Sequence, residues 1–184
     1  RDMVAFDTDE HPKATTAEAL GGLRTVFQKD GTVTAGNASG INDGAAGIVL
    51  ARASAAEAAG LKPRARILGY AHAGERPEVM GIGPVPAVQK LLEKTGLSAG
   101  DFDLVESNEA FAAQALAVNK GLGLDPARVN PNGGAIALGH PVGATGAILV
   151  IKALYELERT GGKRAIITMC IGGGQGIAIA IERL

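Results

Sequence analysis

Short apolar runs, helix-period segments and glycine-rich turns alternate along most of the chain. Residues 1–40 lack this periodicity and carry turn dipeptides such as Asp30-Gly31, which predicts an extended loop. From Ala65 onward the pattern predicts the order strand, helix, strand, helix, loop, helix, strand, strand. This alternation is typical of an α/β fold with helices packed on a mixed, mostly parallel sheet.

The elements of this region have definite predicted bounds. Apolar runs predict strands at residues 65–71, 103–107, 164–171 and 176–183. Helical spacing predicts three helices, whose apolar faces are Val88, Leu91 and Leu92 within 87–96, Ala112, Ala115, Leu116 and Asn119 within 109–120, and Ala144, Ala147, Ile148, Ile151, Leu154 and Tyr155 after Gly143. Gly172, Gly173 and Gly174 between the last two strands predict an antiparallel hairpin.

A smaller unit precedes this region and does not fit its alternation. Residues 47–53 form an apolar run that predicts a buried strand. A short helix follows, with Ser54 as its cap, Glu57 at the capping-box position and Gly60 at its end. Because a lone strand has no sheet of its own, we expect this unit to belong to a separate domain.

The composition excludes several classes of protein. The 184 residues include 18 basic and 19 acidic side chains, without the basic stripe that nucleic-acid binding requires. A single cysteine excludes an internal disulfide, and His11, His72 and His140 are too far apart for a local zinc motif. No apolar run is long enough to span a membrane, and no secretory signal is visible. We therefore expect a cytoplasmic protein that binds neither nucleic acid nor membranes.

The first stretch that can carry chemistry is SNEAFAAQ, where a predicted strand ends at Asn108 and Glu109. Polar side chains at the carboxyl end of a sheet strand face the crevice in which α/β proteins bind ligands. The same residues also suit an ordinary asparagine cap of the following helix, so this segment alone leaves both interpretations open.

The second stretch is NPNGGAIALGHPVGATGA, residues 130–147, in which Pro141 places His140 at the start of the long helix. The positive end of the helix dipole favours the neutral imidazole, which can accept a proton. A histidine that only caps a turn is the alternative. A Walker loop is excluded because His140 and Pro141 replace the Lys and the Ser or Thr that it requires.

The third stretch is TMCIGGGQG, in which Cys170 ends a strand and is followed by glycine amides that can form an oxyanion-binding nest. Inert packing of a buried cysteine is the alternative. A dinucleotide fingerprint loses its mechanism because a strand, not a helix, follows. A base, a thiol, an amide side chain and an amide nest in one domain indicate acyl-transfer or carbon-acid chemistry.

The chain resembles the C-terminal half of the thiolase family in five blocks that occur in the family's order, GNASGINDGAA, MGIGPVPA, SNEAFAAQ, NPNGGAIALGHPVGATGA and CIGGGQG. FDTDEHPK is similar to bacterial β-ketothiolases, and Val142 and Thr145 stand where Ile and Ser are common. The resemblance implies a thiolase-like layered fold. It also implies three segments, which are the end of the loop domain (1–40), the last strand and helix of the N-terminal domain (41–60) and the C-terminal domain (61–184).

The resemblance further implies the condensation of acetyl-CoA, as in an acetyl-CoA acetyltransferase, or the thiolysis of 3-ketoacyl-CoA. Cys170 matches the acid/base that removes or returns the substrate α-proton, and His140 matches the histidine that activates the nucleophile and helps bind the thioester oxygen. Asn108 matches the residue that holds a water at that oxyanion site, and the Gly172 amide completes a second oxyanion hole. We expect glycine amides and the imidazole to lower the pKa of Cys170 toward neutrality.

Substrate contacts and partners follow from the same resemblance. Ser39 matches a contact with the pantetheine arm, and Phe27, Met80 and Phe111 match the acyl and pantetheine tunnel. No metal or redox cofactor is implied, and the family habit is a homotetramer.

One departure from the family concerns the nucleophile. Its cysteine is absent, because Cys170 is the only cysteine and has the other role. We therefore expect a missing N-terminal half as partner, and no acyl transfer by this chain alone. A non-catalytic CoA-binding or scaffold module is the alternative, and degradative thiolysis of longer acyl chains is the alternative within the enzyme interpretation.

Overall fold

The computed structural model of the chain describes residues 3–184 and contains one four-stranded sheet with helices on both faces. The sheet has the strand order β1-β4-β3-β2. Its strands are β1 (Ala65–Gly74), β2 (Leu104–Ser107), β3 (Arg164–Ile171) and β4 (Gln175–Arg183). The helices are α1 (Ala17–Gly21), α2 (Ala53–Ala58), α3 (Pro84–Thr95), α4 (Ala112–Leu122), α5 (Ala135–Leu138) and α6 (Thr145–Thr160).

The α/β class and the mixed sheet with helices packed on it are confirmed, and within this sheet more neighbouring strands pair antiparallel than parallel. Only β2 and β3 pair in parallel, whereas β4 pairs antiparallel with both β3 and β1. The three strands joined by helices, β1, β2 and β3, do run in one direction. The hairpin after β3 inserts β4 between β3 and β1, and this insertion replaces a parallel contact with two antiparallel ones.

The sheet separates two apolar clusters, so the core has three layers, with helices packed on each face of the sheet. On one face α3 buries Ala87, Val88 and Leu91 against β1, β3 and β4, together with Phe102. On the other face α6 buries Leu149, Ala153 and Leu157 against β2 and β3. Consecutive residues of β3 alternate between the clusters, as the two-residue period of a strand requires.

The buried faces of α4 and α6 differ from the predicted ones. In α4, Gln114 and Val118 are buried while Leu116 is 68% exposed. In α6, the predicted stripe is half-buried at most, and Tyr155 at its end is 58% exposed. Both helices carry apolar residues around much of their circumference, so the period alone does not decide which stripe contacts the sheet.

The segment before β1 also departs from its predicted structure. Residues 47–52 form no strand, and Val49 is 92% exposed. A strand exists only through pairing, and the four-stranded sheet does not extend to this segment. α2 begins after Arg52 without a side-chain cap, so Ser54 is not its cap, while Gly60 takes the expected left-handed conformation with φ +65°. The three-segment division of the chain stays a prediction.

Residues 3–40 are mostly irregular, as predicted, but they contain the short helix α1, capped by the Thr16 hydroxyl, which accepts a hydrogen bond from the Ala19 N–H. Residues 1 and 2 lie outside the described part of the chain. No helix among residues 3–184 is long and apolar enough to cross a membrane.

Two glycines fix the start of α3 against the hairpin that carries Cys170. Gly83 precedes α3, and Gly176 pairs with Cys170 across β3 and β4. A Cβ atom on Gly176 would overlap the Gly83 carbonyl group, and one on Gly83 would lie 2.5 Å from the Gln175 carbonyl oxygen. Main chain therefore packs directly on main chain beneath one end of the sheet.

Candidate active site

The ends of β2 and β3 bring two of the candidate residues to one edge of the sheet. The strands are parallel and adjacent, with Ser107 opposite Thr168. Asn108 follows β2 and donates its backbone N–H to the Thr168 carbonyl over 3.0 Å. Cys170 lies two residues further along β3, so both residues occupy the carboxyl ends of neighbouring strands, where α/β sheets bind ligands.

Asn108 contacts the third candidate residue directly. Its Nδ2 lies 3.3 Å from Nε2 of His140, in the loop between α5 and α6. Asn108 is only 1% exposed, and its Oδ1 has no hydrogen-bond partner among the described residues. The amide thus presents one buried acceptor beside the imidazole.

The His140 imidazole is held from two sides. Its Nδ1 is 2.7 Å from Oγ1 of Thr145, and its backbone N–H donates to Oδ1 of Asn42 over 3.0 Å. Gly139 has φ +100°, and a Cβ there would lie 2.6 Å from the same Asn42 oxygen. Only glycine therefore lets the chain turn this closely over Asn42.

The expected neutral state of His140 agrees with the structure, but its cause differs. Burial lowers the pKa of His140 from its usual 6.5. The helix dipole contributes less than expected because α6 begins at Thr145, after a turn over residues 141–144, and not at Pro141. His140 is therefore a neutral base near physiological pH.

The expectation for Cys170 is wrong in direction. The residue is 8% exposed, and burial raises the pKa of its thiol, with only partial compensation from a backbone hydrogen bond. Within residues 3–184 no hydrogen bond joins the sulfur to His140. Desolvation of the thiolate outweighs that hydrogen bond, so Cys170 rests as a neutral thiol.

Gly172 opens the turn between β3 and β4 and is exposed. Gly173 and Gly174 have φ values of +85° and +87°, which only glycine adopts readily. The Gly174 carbonyl accepts the Glu75 N–H over 2.7 Å, which ties the turn to the segment after β1. The Gly172 amide thus lies next to the end of β3, two residues after Cys170.

Three of the four predicted substrate contacts lie together. The rings of Phe27 and Phe111 meet edge to face with centroids 6.0 Å apart. The Ser39 N–H donates to the Ala110 carbonyl over 3.0 Å, immediately before Phe111. Met80 lies in a separate 3₁₀ segment, Pro77–Ile82, that packs against α4.

The structure adds polar residues that the motifs did not reveal. Glu106 is fully buried and forms an ion pair with Lys152 of α6 at 2.9 Å, and Lys152 also donates to the Gly133 carbonyl. Burial raises the pKa of Glu106, while the Lys152 ammonium opposes that shift. In the sequence, the signal for Glu106 was a carboxylate within a predicted strand. Asn42 and Thr145 had no signal beyond their places in the blocks GNASGINDGAA and NPNGGAIALGHPVGATGA.

A cavity of about 220 Å³ opens beside these residues. Asn108, Gly139, Pro141, Thr145 and Lys152 are among its lining residues, whereas Cys170 is not. No group of three His, Cys, Asp or Glu side chains in the described chain is arranged to hold a metal ion. The lining is mostly apolar, and the side chains of Asn108, Thr145 and Lys152 add polar groups to it.

Comparison with known proteins places these features in one family. The chain matches the model of the thiolase C-terminal domain over residues 61–183 and that of the thiolase N-terminal domain over residues 1–54. It is 60% identical over 183 residues to β-ketothiolase BktB of Cupriavidus necator, which covers 98% of this chain and 46% of the relative. It is 61% identical over 180 residues to the acetyl-CoA acetyltransferase of Escherichia coli K12, which covers 97% and 46%. The chain spans about half the length of these curated relatives.

Solved structures agree with this assignment. The acetyl-CoA acetyltransferase of Bacillus anthracis superposes with a TM-score of 0.94 at 54% identity, over 100% of this chain and 47% of that one. Human mitochondrial 3-ketoacyl-CoA thiolase, solved in complex with CoA, gives 0.89 at 49% identity, over 97% and 46%. The predicted family resemblance is confirmed, and the chain belongs to the thiolase family.

Proposed function

We propose that this chain supplies the acid/base half of a thiolase site, which condenses acetyl-CoA or cleaves 3-ketoacyl-CoA by thiolysis. The observation that carries the proposal is the contact between Asn108 and His140 at the sheet edge where β3 brings Cys170. An amide, a neutral imidazole and a thiol at one edge are the groups that thioester chemistry needs.

His140 has the role of a base and then of an oxyanion donor. Burial keeps the imidazole neutral, so it can take the proton of a nucleophilic thiol. The resulting N–H can then donate to the thioester oxygen as that oxygen gains charge. The unpartnered Oδ1 of Asn108 can accept a hydrogen bond from a water that donates to the same oxygen.

Cys170 has the role of the acid in thiolysis. When the bond between the α-carbon and the keto carbon breaks, its electron pair remains on the α-carbon of the departing acetyl-CoA enolate. A neutral thiol returns one proton to that carbon and becomes a thiolate. The raised pKa of Cys170 supports this resting state, and the Gly172 amide is proposed to stabilise the neighbouring oxyanion.

The remaining parts of the proposal follow from the family. Ser39, Phe27, Met80 and Phe111 contact the pantetheine and acyl portions of the substrate. The reaction requires no metal or redox cofactor, only coenzyme A thioesters. The nucleophilic cysteine comes from an N-terminal half, and the complete enzyme is a cytoplasmic tetramer.

The test is thiolysis of acetoacetyl-CoA by the chain alone and by the chain assembled with a thiolase N-terminal half. We expect turnover only in the assembly, and loss of at least about 10²-fold in kcat when Cys170→Ser removes the acid. Ile171→Val, at the adjacent position, is the matched control and should retain turnover. Turnover that survives Cys170→Ser would contradict the proposed roles.

A non-catalytic CoA-binding or scaffold module is the second candidate, and the raised pKa of Cys170 favours it. Alkylation of the assembled protein by iodoacetamide near neutral pH separates the two. With the alkylated residue located by peptide mass spectrometry, the enzyme proposal expects Cys170 to react faster in the assembly than in the isolated chain. A slow reaction under both conditions, with CoA binding retained, supports the scaffold.

A further inference from the structure

Thr145 makes a contact with His140 that none of the proposed roles uses. Its Oγ1 lies 2.7 Å from Nδ1 of the imidazole, and the residue is only 3% exposed. Thr145 is the first residue of α6, so its position is fixed by the helix. The hydroxyl thus belongs to the buried surroundings of the ring.

The single proton of this hydroxyl is already committed. Oγ1 of Thr145 is 2.9 Å from the Pro141 carbonyl oxygen, which can only accept. If the hydroxyl donated to the ring instead, two oxygen atoms would face each other at 2.9 Å without a proton between them. Thr145 therefore donates to Pro141 and accepts from the ring, which requires the hydrogen on Nδ1 of His140.

The other ring nitrogen completes a consistent chain of hydrogen bonds. With the hydrogen on Nδ1, Nε2 has a free lone pair and accepts from Nδ2 of Asn108 at 3.3 Å. The opposite arrangement would need both a flipped Asn108 amide and the unfavourable contact between Thr145 and Pro141. The distances therefore fix the direction of each hydrogen bond. Asn108 donates to His140, His140 donates to Thr145, and Thr145 donates to Pro141.

We propose that Thr145 is a positioning residue that holds His140 as the Nδ1–H tautomer and so presents Nε2 as the basic nitrogen. Thr145 touches neither substrate nor reacting atoms in this account. The tautomer itself follows from the hydrogen bonds alone, whereas the catalytic use of Nε2 rests on the proposed function.

His11 provides an internal contrast in the same chain. Its Nε2 lies 2.9 Å from the Ile136 carbonyl oxygen, so that nitrogen must carry the hydrogen. Its Nδ1 faces the amide of Asn42 at 3.4 Å and acts as the acceptor. The two histidines are thus expected to have opposite tautomers, and each can serve as a reference for the other.

The test is nitrogen-15 NMR of the histidine rings, with only this chain labelled and assembled with an unlabelled N-terminal half. Near neutral pH we expect Nδ1–H for His140 and Nε2–H for His11. Thr145→Val removes the acceptor while keeping the side-chain shape, so His140 should shift largely to Nε2–H. Thr145→Ser keeps the hydroxyl and should restore Nδ1–H. An unchanged His11 signal shows that each variant is folded. If Thr145→Val does not fold, Thr145→Ala is used in its place.

Activity separates this inference from the proposed function. In the assembly, Thr145→Val should lower kcat about 10-fold or more with little change in KM, and Thr145→Ser should recover it. Nε2–H on His140 in the unmodified protein, or a tautomer that Thr145→Val leaves unchanged, overturns the inference. If the tautomers behave as expected but the unmodified assembly has no thiolase turnover, the proposed function fails and the inference stands.

Discussion

The chain before β1 (residues 3–64) and the sheet region (residues 65–184) have similar fractions of apolar residues. These residues are mostly exposed before β1, whereas many of them are buried in the sheet region. Of residues 3–64, only Ala56 has a buried apolar side chain, whereas both core clusters lie within residues 71–181. Ile41, Val49 and Leu50 are 95%, 92% and 73% exposed. Apolar residues in the sheet region pack against strands and helices of the same chain, whereas most of those before β1 are exposed, although Phe27 contacts Phe111.

This contrast shows that a pattern of apolar residues predicts which side chains favour burial. It does not predict which strand or helix packs against them. Residues 47–53 have the composition of a buried strand, but among residues 3–184 no strand pairs with them. Yet the same region supplies Asn42, which holds the His140 backbone. The chain before β1 is thus mostly exposed, but Asn42 holds it by a hydrogen bond at the candidate site.

The largest expected difference is in amide hydrogen exchange. No backbone N–H of residues 43–52 donates a hydrogen bond within the described part of the chain, whereas β3 is paired on both sides. We expect amides of 43–52 to exchange on the order of 10³-fold faster than those of residues 165–168. Assembly with an N-terminal half should slow exchange in residues 47–52. Equal exchange rates in the two regions of the isolated chain would contradict the comparison.

The buried ion pair gives the next largest effect. Lys152→Met leaves the Glu106 carboxylate buried without its partner, which should lower the free energy of unfolding by about 3 to 5 kcal/mol. Urea denaturation measures the change. The matched control is Glu158→Gln, which breaks the exposed ion pair with Arg64 and should leave the free energy nearly unchanged. A Lys152→Met variant as stable as the parent would show that this pair does not support the sheet region.

Asn42 should have a smaller and local effect, because it makes one of several contacts between the two regions. Asn42→Ala leaves the His140 N–H without its acceptor, at a cost of about 1 to 3 kcal/mol if the group stays buried. We expect faster exchange of the His140 amide and little change in the exchange of β3. Asp43→Ala changes the exposed neighbouring residue and should alter neither.

Acid sensitivity should show the smallest effect. The pKa of folded His140 lies below 6.5, so the unfolded chain binds a proton first as the pH falls. Stability from this residue is therefore complete above about pH 6.5 and decreases below it. His140→Gln removes this loss, so urea midpoints should fall less between neutral and acidic pH. The contrary result is an acid dependence that the substitution leaves unchanged.

Local motifs made much of the sheet region predictable. Helical spacing gave α3 from residue 87 onward, although the helix begins at Pro84, and the three glycines after β3 gave the hairpin. The insertion of β4 beside β1 was not predictable, because pairing between distant strands has no local signal. The same limit hid Lys152 opposite Glu106, 46 residues apart in sequence.

The candidate site was predictable in part. Motif resemblance named Asn108 and His140, and the structure brings them within 3.3 Å. The pKa direction of Cys170 was wrong, because the cost of burying a thiolate depends on packing that a sequence does not display. The proton arrangement around His140 requires measured distances to Thr145 and Pro141, which no sequence pattern contains.

The most direct test follows a single proton. The chain assembled with a thiolase N-terminal half is incubated with acetyl-CoA in D₂O, and deuterium entering the acetyl methyl group is measured by mass spectrometry. The account predicts steady incorporation that Cys170→Ser abolishes and Ile171→Val preserves. Incorporation that continues at the parent rate in the Cys170→Ser assembly would show that another group moves the proton.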